Sequence, residues 1–107
     1  MPRLAQPAGS EDAEDPIAHL GNRINAGILR YLRAHPNSTV GPIAAALELR
    51  ATTIKPRLDQ LEDAGLVVSD PPAFAGQPRR GVWITYRVNS EAVTDLYLRL
   101  GFAIGEF

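Results

Sequence analysis

Apolar residues recur at helical spacing in three successive stretches before the spacing changes. Between Asn22 and the pair His35-Pro36, the residues Ile24, Ile28, Leu29, Tyr31 and Leu32 share one side of a helix, and Asn22 is of the type that caps a helix start. After the polar link Asn37-Ser38-Thr39, the run Val40 to Leu47 places Val40, Ile43, Ala44 and Leu47 together, with Pro42 in a first turn that tolerates it. Glu48-Leu49-Arg50 reads as a tight connection with Leu49 buried in its middle. Ala51 to Ala64 then sets Ile54, Leu58 and Leu61 on one stripe, and Gly65 is positioned as a left-handed cap. Pro56 lies inside this last helix, removes the bond to the Thr52 carbonyl and is expected to kink it.

Downstream the period shortens to two. Leu66-Val67-Val68 reads as a brief strand, the stretch from Pro71-Pro72 to Gly81 is turn chemistry, and Val82, Ile84, Tyr86 and Val88 alternate with Trp83, Thr85 and Arg87. Asn89-Ser90 caps a final helix, 90–101, with the stripe Val93, Leu96, Tyr97 and Leu100, followed by an apolar tail over 102–107. Upstream, Asp15-Pro16 signals a short helix to about Leu20, preceded by residues 1–14, which lack a hydrophobic period and read as a disordered acidic tail. Two helices joined by three residues make a helix-turn-helix, and two strands around a long loop add a wing. The fold class is therefore mainly α with a small β-hairpin. In full, it is a winged helix-turn-helix domain over 15–101 with a three-helix core, a two- to three-stranded wing and the C-terminal helix.

Composition narrows the chemistry. A chain of 107 residues with 45% hydrophobic and 21% charged residues is one ordinary soluble domain, and no apolar run approaches the roughly 18 residues that signal a membrane span. No export signal is apparent at the start, so a cytoplasmic location is expected. There are no cysteines, and His19 and His35 have no carboxylate beside them at ligand spacing, so neither a metal nor any other cofactor is expected. With no nucleophile–base pair, phosphate-cradling glycine loop or carboxylate pair, the chain does not read as an enzyme.

The net charge of −1 by itself opposes nucleic-acid binding, but its distribution is uneven. Residues 1–15 hold one of the eleven basic and four of the twelve acidic groups, which leaves ten against eight for the rest. The second helix of a helix-turn-helix enters the major groove by its N-terminal end. Here Thr52, Thr53, Lys55, Arg57 and Gln60 lie off the apolar stripe of that helix, 51–64, with Arg50 just before it. Arg79 and Arg80, on the turn of a wing at 70–81, are placed for phosphate or minor groove. These eight residues form the candidate DNA-binding set. Asp59, Glu62 and Asp63 are expected to face away from the groove.

Two segments resemble known families. LGNRINAGILRYL is similar to the opening of ArsR repressors in Leu20, Gly21, Asn22 and the block Ile28 to Leu32, with Arg23 and Asn25 where that pattern has proline and arginine. TTIKPRLDQLEDAGLV resembles the PadR pattern in Thr53, Ile54, Pro56, Leu58, Leu61, Glu62, Gly65 and Leu66, with Lys55 in place of a tyrosine. The resemblance implies a winged-helix repressor whose terminal helices build a symmetric homodimer, here through Val93, Leu96, Tyr97, Leu100, Phe102 and Ile104. Metal sensing through cysteines, known in ArsR proteins, does not carry over. The reading is a sequence-specific regulator of transcription that binds double-stranded DNA, a repressor by resemblance. Two alternatives stay open: a winged-helix module that docks on proteins, and a DNA-bending or excision factor from a mobile element.

Overall fold

The computed structural model describes residues 18–71 and 83–106. The acidic tail read at 1–14, the Asp15-Pro16 helix start, and Arg79 and Arg80 of the wing lie outside the described residues, as do Val82 and Phe107. Residues 18–20 are helical. Helix α1, Arg23–Ala34, begins where Asn22 Oδ1 accepts from the backbone N–H groups of Ile24 at 2.9 Å and Asn25 at 3.1 Å. It ends at His35, ahead of Pro36. Helices α2, Val40–Leu47, and α3, Ala51–Asp63, follow, and α3 passes through Pro56 as a single helix.

Both of these helices stop by the same device. After α3, Gly65 adopts φ +79° and donates to Glu62 O at 2.9 Å, while Leu66 N–H reaches back to Leu61 O at 2.9 Å. This pair of bonds satisfies carbonyls that the helix end would otherwise leave open. After α2, Glu48 takes the left-handed position at φ 56°, donating to Ala45 O, and Leu49 N–H bonds Ala44 O. The turn thereby points Leu49 outward, at 36% exposure, instead of into the core as its apolar character implies.

Strand β1, Val67–Asp70, pairs antiparallel with β2, Thr85–Val88, in the register Val67 with Val88 and Ser69 with Tyr86. The first strand therefore runs further than 66–68, because pairing with β2 continues to Asp70. The second is shorter than 82–88, since pairing ends with Thr85. Ser38 forms an isolated bridge to the other side of Tyr86, with N–H to O distances of 3.2 Å and 2.9 Å, and supplies the beginning of a third strand. Helix α4, Ser90–Ala103, is capped by Asn89 Oδ1, which accepts from Ala92 N–H at 3.2 Å. It continues past Gly101, which is buried inside it, so Phe102 and Ala103 belong to the helix and not to a tail.

The core gathers Ile28, Leu29 and Leu32 of α1, Ile43 and Ala44 of α2, Ile54, Leu58 and Leu61 of α3, then Leu66, Val67, Tyr86 and Leu96. Each helix thus buries the stripe that its spacing defines. Close packing of α1 on α2 depends on Gly27, where a Cβ would come within 3.0 Å of a Leu47 methyl carbon. Among the described residues no helix is long and apolar enough to cross a membrane.

Leu58 is fully buried, so Leu58→Ala removes core contact and leaves a cavity, an expected loss of about 2–5 kcal/mol in denaturant unfolding. Gly65→Ala touches nothing within 4 Å, yet it puts a side chain at positive φ; the expected loss is about 1–2 kcal/mol, from backbone strain alone.

Candidate nucleic-acid interface

The three apolar anchors of α3 settle which of its sides faces out. Successive residues turn by about 100°. With Ile54, Leu58 and Leu61 buried, Thr52, Pro56, Asp59 and Asp63 occupy the outermost side, and all four are exposed. Thr53, Arg57 and Gln60 lie on one flank, with Arg57 half-buried at its root. Lys55 and Glu62 lie on the opposite flank, facing the hairpin. Glu62 Oε2 there accepts from Ser69 Oγ of β1 at 2.7 Å. The structure therefore divides the polar residues of α3 into three groups, where the sequence pattern shows only that they leave the stripe.

The start of α3 is built to receive an anion. Arg50, exposed, is its N-cap residue and makes no side-chain cap bond, and the first turn contains no acidic side chain. Thr53 and Ile54 donate their N–H groups to Arg50 O, leaving the two N–H groups ahead of them for an acceptor from outside. The positive end of the helix dipole thus coincides with Arg50, Thr52 and Thr53, a setting suited to a phosphate. Arg50 and Arg57 make no ion pair with any described residue.

Lys55 is different. Its Nζ bonds Asp59 Oδ1 at 2.5 Å and stands 5.9 Å from the centre of the Tyr86 ring. Partial burial pulls the ammonium toward deprotonation, but the hydrogen bond to Asp59 and the nearby Tyr86 phenol outweigh it, so the lysine is raised above its ordinary value. The Tyr86 hydroxyl is itself buried with no hydrogen-bond partner among the described residues, and so is Asn25 Oδ1 of α1. Asp59, expected from the sequence to face away from the groove, lies on the outermost side of α3 and pairs with Lys55, one of the cations of the candidate set.

Arg87 is a cation that the sequence pattern left aside. It stands exposed on the outer face of β2, and the alternation that buries Tyr86 is the signal that marks it. Trp83 lies just ahead of the same strand at 83% exposure. On α4 the stripe splits. Leu96, at 6% exposure, belongs to the core of the monomer, and Val93, half-buried, packs against that core. Leu100 is half-buried, while Tyr97, Leu98, Phe102 and Ile104 are exposed.

Comparison with known proteins agrees with this architecture. Residues 20–70 match the family described as a helix-turn-helix domain. The crystal structure of the AntR antimony-specific transcriptional repressor superposes with a TM-score of 0.62 at 21% identity, covering 98% of this chain and 86% of that one. The homodimeric winged helix-turn-helix DNA-binding domain Mb0332 from Mycobacterium bovis, a possible ArsR-family transcriptional regulator, gives 0.54 at 26% identity, covering 97% and 92%. NadR in complex with 4-hydroxyphenylacetate gives 0.54 at 18% identity, covering 99% and 80%. No curated protein matches by sequence. Helix-turn-helix, paired strands and terminal helix define a winged helix-turn-helix protein, a class that binds DNA rather than one of enzymes. Residues 20–70 carry the helix-turn-helix match, and the fold as a whole is shared with these solved structures.

The raised lysine has a consequence for stability. A folded-state value above the unfolded one adds stability while the ammonium is charged in both states, and that addition is lost as pH climbs through the folded value. In alkaline thermal melts, the native chain is expected to lose stability above the ordinary lysine range slightly more steeply than Lys55→Met, with identical slopes near neutrality.

Proposed function

We propose that this chain is a transcriptional repressor that inserts the first turns of α3 into the major groove of double-stranded DNA. One observation carries the reading: α3 is pinned from behind by three buried residues and presents an acid-free N-terminus with Arg50, Thr52 and Thr53 exposed. Phosphate contacts position such a helix and base contacts specify the site. Arg50, together with Arg79 and Arg80 of the wing, supplies backbone contacts in this reading; Thr52, Thr53, Arg57 and Gln60 supply those to base edges. A cytoplasmic location belongs to the same reading.

We further propose a homodimer that reads two half-sites about one helical turn apart. Support comes from the exposed apolar residues Tyr97, Leu98, Phe102 and Ile104 at the end of α4, and from the homodimeric state of the Mb0332 domain. AntR is described as antimony-specific, and that property is not transferred. The present chain has no cysteine to offer a soft ion a thiolate.

Selection of bound duplexes from a random pool tests the reading, with affinities followed through the emission of Trp83, the single tryptophan. Arg50→Ala and the pair Arg79→Ala with Arg80→Ala are each expected to weaken all sequences alike. Each arginine removed should flatten the slope of log affinity against log salt by about 0.9 if it neutralises one phosphate. Enrichment of no sequence, or a slope indifferent to these changes, rejects the assignment. Tyr97→Glu with Ile104→Glu is expected to halve the mass in sedimentation and to cost operator affinity while leaving the monomer folded.

A further inference from the structure

The ion pair on α3 lies where a DNA-binding helix has most reason to keep its cations available. Lys55 is the only lysine in the chain, and it is occupied by a carboxylate one turn further along the same helix. Both partners are partly open, Lys55 at 39% and Asp59 at 51%, and Asp59 is the nearer of the two to the outermost side of the helix. A lysine preceding its acid by four residues is the weaker order for such a pair. Here a second contact holds it: Tyr86, wholly buried and fixed between Ser38 and Ser69, places its ring 5.9 Å from the ammonium. The lysine is thus steered toward Asp59 by a rigid neighbour, not only by its own helix.

We propose that Asp59 serves as an internal substitute for a DNA phosphate. It occupies Lys55 while the protein rests on DNA of arbitrary sequence. A paired ammonium displaces no counterion, so α3 gains no affinity from that charge. Asp59 therefore suppresses sequence-independent binding and leaves the exposed threonines and Arg57 a larger share in deciding where the protein stays. Asp59 is a residue of specificity that acts through Lys55. The inference rests on the DNA-binding reading above.

The test is a charge cycle on a random-sequence duplex, read as fluorescence anisotropy across a salt series, with circular dichroism to verify the fold of each variant. Asp59→Asn is expected to tighten binding and to steepen the log–log salt slope by about 0.9, the value for one added phosphate contact. Lys55→Met alone is expected to leave the slope unchanged, and Lys55→Met added to Asp59→Asn to return it to that of the native chain. Asp63→Asn, which removes a carboxylate with no lysine partner among the described residues, is expected to leave it unchanged. Equal flattening by Lys55→Met in both backgrounds overturns the inference, because Lys55 then reaches phosphate with Asp59 in place. So does equal steepening by Asp59→Asn and Asp63→Asn, which reduces the effect to general repulsion. A native chain whose binding is indifferent to salt overturns the DNA-binding reading itself, a result separate from either of these.

Discussion

The arrangement depends most on the burial of Tyr86. Its backbone is paired on both sides, with Ser38 between α1 and α2 and with Ser69 of β1, and its side chain is wholly enclosed. Both backbone hydrogen bonds of Tyr86 go to Ser38 while Ser69 faces it as its register partner, so β2 cannot shift register without exposing a large aromatic and opening the bonds to Ser38. The hairpin is therefore fixed to the linker ahead of α2, and the ring is fixed beside α3. Recognition helix and wing base share one rigid reference, which is what a protein needs if groove and backbone contacts are to form together.

Much of this was legible in the residues. Asn22 and Asn89 act as helix caps, Gly65 takes the left-handed position, and the stripes of α1, α2 and α3 face the core as their spacing requires. Those features are local, decided within one or two turns of chain. What escaped was set by contacts between distant segments. Leu49 faces out because the left-handed turn at Glu48 aims it there, and Leu96 joins the monomer core because α4 packs back across it. The ends of the strands follow pairing, which no single strand declares. Asn25, polar by type, is buried because its place on the inner side of α1 is settled by the apolar residues around it.

The candidate interface shows the same division. That Thr52, Thr53, Lys55, Arg57 and Gln60 leave the apolar stripe follows from spacing alone. That Lys55 belongs to the hairpin flank, and is engaged there, requires knowing where Tyr86 lies. The four-residue separation from Asp59 was visible, but whether such a pair forms depends on what else competes for the lysine. Charge counted along a sequence therefore overstates the charge available at a surface. In a chain with a net charge of −1, the difference of one cation is a large fraction of the binding term.

The close approach at Gly27 bears on which residues that position can accept. A Cβ there would meet a methyl carbon of Leu47 at 3.0 Å, so the Leu47 side chain would have to yield by a few tenths of an ångström. Larger side chains at 27 would have to displace Leu47 further or spread α1 from α2. The seam between the first two helices is therefore narrow on the side of α1 that lacks a side chain.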